Sequence, residues 1–486
     1  MKYHVVTLGC QMNKSDSERV STVIEQMGYR WASNEDDADL LGVIACSVRQ
    51  KAIDKVYTKI NKWNNRKSNR NLATFITGCV LPEDRRKFLK LFDIIFQISE
   101  LPQFPEMLKQ YGVVTPFSLK KEDDLTEQSY AEMPGNSASQ FKVLTLDNKK
   151  TIVGQPVLMK EPEKKISGFW NVQPHYQSEF EAFIPIQNGC DKFCTFCAVP
   201  YTRGREISRP SAEIMEELKL LVQKGYKSIT LLGQNVNSYG LDNRSEEITF
   251  PELLERIGKY GDKSGKDFWV YFTSPHPRDM TPEVFEIIAR HKCLAKQIHL
   301  PLQSGDDKVL IRMNRNHSLG DYRKIIDSFR KTIPQATLFT DIIVGFTGET
   351  DEQFKNTMKA MEEFKFHMAY IARYSPRPGA ASSRWDDDIS HEVKKERLHI
   401  LSELLQKHSR EHNDEMIGKI YKVLVTGKDR KGKYLTGYNE GRIIIRITSD
   451  DTGLIGKFVD IKITSAADFA TEGELVKIHK EELTEV

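Results

Sequence analysis

The chain has 486 residues, more than one core of typical size accommodates, so two or three domains are expected. Hydrophobic residues make up 39% and charged residues 29%, mean hydropathy is −0.49, and no apolar run reaches membrane-span length; this excludes an embedded protein and implies a soluble, cytoplasmic one with no membrane partner. The net charge of +3 is too small to identify a nucleic-acid partner by itself, and seven cysteines in such a chain point to metal or redox chemistry rather than disulfides.

Residues 1–112 repeat one arrangement three times: an apolar strand, a cysteine turn, then a helical pattern. The first is His4 to Leu8 with Gly9-Cys10, followed by Ser15-Asp16-Ser17-Glu18 opening an amphipathic run to Met27. The second is Leu40 to Ala45 with Cys46, then a helix from about Val48 to Trp63. The third is Ala73 to Thr77 with Gly78-Cys79, then Pro82-Glu83 opening another helix. Strand-helix alternation predicts a parallel α/β sheet, and ligands of such sheets gather at the carboxyl ends of the strands. Cys10, Cys46 and Cys79 all sit at such ends and should converge. A lone cysteine there is most simply a small core residue; three equivalent ones predict the ligands of a [4Fe-4S] cluster.

Residues 113–180 are poor in pattern and form a linker or insertion, with a charge run at Lys120 to Asp124, a turn-rich stretch at Pro134 to Ser139, and β-like runs at 141–146 and 151–153. From 181 to 412 the alternation resumes. Strands are expected at 182–187, 227–232, 267–273, 296–301, 337–344 and 367–373, and helices near 211–224, 250–260, 281–290, 306–313, 319–332 and 351–364. Directly after the first strand comes Cys190-Asp191-Lys192-Phe193-Cys194-Thr195-Phe196-Cys197, a C-x3-C-x2-C spacing. Three thiolates this close hold three irons of a [4Fe-4S] cube and leave the fourth open for a substrate or cofactor. The alternative is zinc, which wants a closed set of four ligands, and no further Cys or His lies near in sequence.

Other strand ends are polar: Gly233-Gln234-Asn235 after the second, Thr273-Ser274-Pro275-His276 after the third, His299 to Gly305 after the fourth, Asp341 to Thr350 along and after the fifth, and Arg373 to Gly379 after the sixth. Each could merely cap a helix or make a turn. His276 reads as a proton-transfer group or a buried structural histidine, and Cys293 as an ordinary thiol. Residues 392–412 form a charged helix, and 413–480 change to short strands, at 421–425, 433–438, 443–447 and 458–463, expected to make a small antiparallel β-barrel. Over 415–480 twelve Lys and Arg face nine Asp and Glu. Lys428, Arg430, Lys431, Lys433 and Arg442 stand beside Tyr434 and Tyr438, a pattern suited to RNA phosphates and bases but equally to a solvated hairpin.

The C-x3-C-x2-C set is the signature of radical S-adenosylmethionine (SAM) enzymes. The wider stretch Gln187-Asn188-Gly189-Cys190 through Pro200-Tyr201-Thr202-Arg203-Gly204-Arg205-Glu206 resembles the methylthiotransferases, most closely their MiaB-type tRNA branch. So do Gly9-Cys10-Gln11-Met12-Asn13 with Asp16-Ser17-Glu18, Gly78-Cys79, His299-Leu300-Pro301-Leu302-Gln303-Ser304-Gly305 and Tyr374-Ser375-Pro376-Arg377-Pro378-Gly379. The middle cysteine departs: the family has Asn-Thr-Cys where this chain has Ile44-Ala45-Cys46, which removes a polar neighbour but not the ligand. In Gly345-Phe346-Thr347-Gly348-Glu349-Thr350, Thr347 replaces a proline.

The resemblance implies an N-terminal parallel α/β domain, a central partial (β/α)6 radical-SAM barrel and a C-terminal TRAM barrel that binds RNA. It implies two [4Fe-4S] clusters, SAM bound near Gln234, Asn235, Ser304 and Asp341, and methylthiolation of C2 of N6-isopentenyladenosine beside the anticodon of tRNA. Partners would be tRNA, a flavodoxin- or ferredoxin-like electron donor and a sulfur source, with the enzyme a monomer. Alternatives are threonylcarbamoyl-adenosine in tRNA, an aspartate of a ribosomal protein as in the RimO branch, or a non-catalytic RNA-binding protein with a structural metal.

Overall fold

The computed structural model describes residues 1–47, 50–67, 71–111, 162–429 and 432–479. The chain divides into two compact units, Met1–Gln177 with Ala198–Ile207, and Ser178–Cys197 with Ser208–Val486.

In the first unit a five-stranded parallel sheet has the order β2-β1-β3-β4-β5, with β1 Lys2–Thr7, β2 Arg30–Trp31, β3 Leu40–Cys46, β4 Ala73–Cys79 and β5 Ile94–Ile95. Helices cover both faces, which is why β3 is an unbroken apolar run buried at every position. Helix Gln50–Lys67 presses Ile53, Val56, Ile60 and Trp63 onto one face; helix Gln11–Gln26 presses Val20 and Ile24 onto the other. The first helix begins at Gln11, not at Ser15, because Cys10 itself takes the N-cap position with extended backbone.

Part of the expected linker joins this core. Helix Pro162–Trp170 places Ile166, Phe169 and Trp170 at i, i+3 and i+4 against the same face as Phe104 and Leu108. The β-like runs at 141–146 and 151–153 lie outside the described residues.

The second unit contains the six expected parallel strands. β6 Glu181–Pro185, β9 Ser228–Leu232 and β10 Trp269–Phe272 form one sheet; β11 Gln297–His299, β12 Thr337–Val344 and β13 Met368–Arg373 form the other. A parallel bridge from Val270 of β10 to Leu294, just ahead of β11, runs between the two sheets, and β7 Gln187–Asn188 and β8 Ile207–Ser208 are two-residue strands. The intervening helices begin at caps that the sequence spells out. Thr249 with Glu252, Ser318 with Asp321 and Thr350 with Gln353 are capping boxes, each contributing about 1 kcal/mol.

Helix His391–Asp414 leads to a closed barrel of order β14-β15-β16-β18-β17, built from β14 Ile420–Lys428, β15 Leu435–Asn439, β16 Ile444–Ile447, β17 Phe458–Ala467 and β18 Ala470–Ile478. Two points differ from expectation. A fifth strand, β18, closes the barrel, and β16 pairs with it in parallel, so the barrel is not wholly antiparallel. Among the described residues no helix is long and apolar enough to cross a membrane.

Candidate metal centres

In the first unit the three cysteines come together by register. Cys46 and Cys79 are direct Cα partners at the carboxyl ends of β3 and β4, and Cys10 caps the helix that follows the neighbouring strand β1. Two glycines permit this crowding. A Cβ on Gly9 (φ +138°) would stand 2.8 Å from Cys46 Cβ, and one on Gly78 (φ +98°) 2.7 Å from the Ala45 carbonyl oxygen.

Asn13 ties the turns together. Its Nδ2 donates to the carbonyls of Leu8 (2.9 Å) and Ala45 (2.7 Å), so the amide orientation is settled and Oδ1 faces the sulfurs of Cys10 (3.9 Å) and Cys79 (3.7 Å). The stretch before Cys46 is instead held through its backbone, by Asn13 on the Ala45 carbonyl. Ser47 N donates to the Cys79 carbonyl and Ser47 Oγ accepts from Leu81 N. Arg203, on the short helix Val199–Arg203, donates Nε–H to Cys79 Sγ at 3.0 Å and Nη2 to Asn13 Oδ1 and to Asp16 Oδ2, at 3.3 and 2.5 Å. Burial pushes the Cys79 thiol up to about 12 while the guanidinium pulls it back down. A free thiolate is therefore disfavoured there unless a cation takes it. Asp16 and Arg203 stand in motifs quoted from the sequence, yet nothing in their spacing pointed to this contact.

In the second unit Cys190, Cys194 and Cys197 lie on one loop, with Cys190 buried and the other two partly exposed. The loop is held by Arg312 to Arg315, a stretch that sequence patterning did not single out. Thr195 N and Oγ1 donate to the carbonyls of Met313 and Arg312, Asn314 Nδ2 donates to those of Lys192 and Phe193, and buried Arg315 reaches Cys194 Sγ (3.5 Å) and the Pro301 carbonyl (3.0 Å). Phe193 and Asn314 at this loop and Ser274 and Gln303 at strand ends hold positive φ without being glycine, strain of about 1–3 kcal/mol each.

The residues expected near SAM are placed unequally. Gln234 Oε1 accepts from Gly189 N (2.6 Å), fixing the entrance of the cysteine loop. Asn235 Nδ2 donates to Asp279, which also pairs with Lys192 at 2.6 Å, and leaves its buried Oδ1 without a partner. Asp341 pairs with His299 at 2.8 Å and is partly open. Ser304 is fully buried against Thr357 and Asp306 N, a bracing position in the helix cap rather than a contact surface.

His276 is buried, its backbone clasped by Asn237 and its Nδ1 accepting from Arg278 N. Burial, with Arg315 and His317 nearby, keeps it neutral far below the ordinary histidine range. Its Nε2 and the Gln303 Oε1 are buried without partners, like Asn235 Oδ1. Three strand ends therefore carry unused polar atoms, which fits a polar cofactor. Cys293 packs against Gly261, its thiol pushed up to about 12 by burial.

Of the basic residues expected to meet RNA, Lys428 and Lys433 are exposed, while Arg430 and Lys431 lie outside the described residues. Arg442 does something else. Its guanidinium lies 3.8 Å from the Tyr271 ring centre and 4.4 Å from that of Tyr438, donates to Ser228 and Thr230, and stands 3.7 Å from Glu181. It anchors the C-terminal barrel onto β6, β9 and β10, and is corrected here from an RNA contact to a structural one.

Family models match three stretches: the Radical SAM superfamily at 184–361, the Uncharacterized protein family UPF0004 at 2–98 and the TRAM domain at 414–476. A tRNA-2-methylthio-N(6)-dimethylallyladenosine synthase of Thermoanaerobacter pseudethanolicus is 36% identical, covering 98% of this chain and 93% of its own. The chain belongs to this family of radical SAM methylthiotransferases. A synthase of the same name from Clostridium botulinum (strain Okra / Type B1) is 35% identical over 97% of this chain and 96% of its own. The cobalamin-dependent radical SAM enzyme OxsB is similar to this chain in structure at a TM-score of 0.48 and 13% identity, covering 84% of this chain and 56% of that one.

The residues present fit the cofactors of the family. Each triad offers three thiols, and three strand ends of the second unit carry buried polar atoms without partners.

Proposed function

We propose that this protein is a tRNA methylthiotransferase that places a methylthio group on C2 of N6-isopentenyladenosine (the dimethylallyladenosine of its relatives' names) at position 37, beside the anticodon. The carrying observation is that both cysteine triads are present in a chain 36% identical over nearly its whole length to synthases of that name. Cys190, Cys194 and Cys197 would hold one [4Fe-4S] cluster, with an iron open to SAM. Cys10, Cys46 and Cys79 would hold a second. When bound, these groups supply reductive SAM cleavage, hydrogen abstraction at C2 and the sulfur to be transferred.

The chain's own residues bind and orient. Arg315 and Asn314 hold the cysteine loop against one side of the barrel, and Gln234 holds its entrance. Asn235 Oδ1 and Gln303 Oε1 offer acceptors to the polar groups of SAM, with Asp341 and His299 further along the wall. Ser304 contributes by fixing the strand end. The exposed Lys428 and Lys433 suit tRNA phosphates. Residues 1–112, 181–412 and 413–480 would be the corresponding domains, with helix Pro162–Trp170 and residues 198–207 packing into the first. The enzyme would work as a cytoplasmic monomer supplied by a flavodoxin- or ferredoxin-like reductant and a sulfur source.

The test is anaerobic reconstitution with iron and sulfide, then mass analysis of nucleosides from isopentenylated tRNA. About eight irons per chain and a product heavier by one methylthio group are expected. Modification of threonylcarbamoyl-adenosine or of a ribosomal protein instead, or zinc in place of iron, would overturn the reading.

A further inference from the structure

The best-built polar constellation to which no role has yet been given is the one against Cys79. Asp16 is fully buried and Arg203 nearly so. A buried ion pair by itself is weak evidence of function, since desolvation offsets most of the attraction. Here, however, the guanidinium does more than neutralise Asp16. Its Nη2 serves Asp16 and Asn13, and its Nε–H points at the Cys79 sulfur. The Asn13 Oδ1 oxygen faces two sulfurs, an arrangement that becomes repulsive once both are thiolates. A cation bridging that oxygen and one sulfur removes the repulsion. Lysine, a point charge on a flexible stem, cannot address sulfur, amide and carboxylate at once in this way.

Resting on the reading that Cys10, Cys46 and Cys79 hold a cluster, we infer that Arg203, oriented by Asp16, is a positioning residue for that cluster: it hydrogen-bonds the Cys79 thiolate and raises the reduction potential of the site. Adding one electron to the cluster makes the site more negative by one charge. A directed N–H donor and a nearby cation stabilise that reduced form more than the oxidised one. Asp16 holds the fork in place, and partly offsets its charge.

The experiment uses the full chain with Cys190→Ala/Cys194→Ala/Cys197→Ala, so that only the N-terminal site binds iron. Iron content, circular dichroism and an electron-spin-resonance redox titration are compared for this background and for added Arg203→Lys or Asp16→Asn/Arg203→Gln. About four irons are expected in the background. Arg203→Lys should retain most of them, with a potential lowered by roughly tenfold in the one-electron equilibrium, about 59 mV. The double variant removes both charges at near-constant volume, and should shift the potential in the same direction even where Arg203→Lys disturbs the fold. Four irons with potentials unmoved in both variants would overturn this inference alone. A background that binds no iron would overturn the two-cluster reading and the inference with it.

Discussion

The two cysteine triads reach similar ends by opposite routes. Cys190, Cys194 and Cys197 occupy eight consecutive residues, so their proximity is local and the fold has only to hold one loop still. It does so from outside, with backbone and side-chain bonds from Arg312 to Arg315. Cys10, Cys46 and Cys79 are more than thirty residues apart pairwise and meet only because β1, β3 and β4 are adjacent and in register. There the sheet is the clamp, and glycines clear the space. A contiguous site should therefore fail by loosening, a distributed one by losing register.

The largest expected contrast is between the triads themselves. Cys190→Ala/Cys194→Ala/Cys197→Ala should abolish SAM cleavage and tRNA modification together. Cys10→Ala/Cys46→Ala/Cys79→Ala should abolish methylthiolation while SAM cleavage persists, measured as 5′-deoxyadenosine released. Loss of cleavage in both would break the separation of roles.

Next come the clamps. Gly78→Val puts a branched side chain at φ +98° against a backbone oxygen, and should destabilise the first unit by about 2–4 kcal/mol, read as a lower denaturant midpoint. Arg315→Ala should leave overall stability within about 1–3 kcal/mol yet reduce SAM cleavage roughly tenfold or more, since Cys194 on the loop and the Pro301 carbonyl at the neighbouring strand end both lose their donor.

A smaller effect separates the basic residues of the C-terminal barrel. Lys433→Ala should reduce the salt dependence of tRNA binding by about one contact, in a titration of affinity against salt. Arg442→Ala should leave that slope alone and lower stability by about 2 kcal/mol through loss of the Tyr271–Arg442–Tyr438 stack.

A pH effect on stability stands beside these. Burial lowers His367 to about 3 and His317 to about 4. Both are depressed in the folded state, so the unfolded chain binds protons first. Stability is then full above about pH 6.5, and falls as pH drops from there toward 4, by on the order of 1 kcal/mol per unit for each histidine. His317→Gln should flatten that fall in denaturant titrations between pH 6.5 and 4.5.

Most of the second unit was legible because its strands are continuous apolar runs bounded by glycine, proline and caps. All six strands and their helices lie close to the expected positions. What escaped reading had weak local signal. β2 and β5 have two residues each, β18 mixes charges into its alternation, and helix Pro162–Trp170 sits in an otherwise unpatterned stretch. Arg442 looked like a surface cation because sequence shows a charge beside tyrosines, not which side of them is covered. Ser304 looked available because strand-end position does not reveal depth.

By itself the sequence determined the ligand types, their spacing on the contiguous loop, the α/β alternation and the family. Tertiary structure alone decided which polar groups stand beside the sulfurs. Asn13 and Arg203 touch Cys79 from 66 and 124 residues away, and such contacts are set by strand register and by where a distant turn lands. No periodicity or local propensity records them, because both describe only neighbours along the chain.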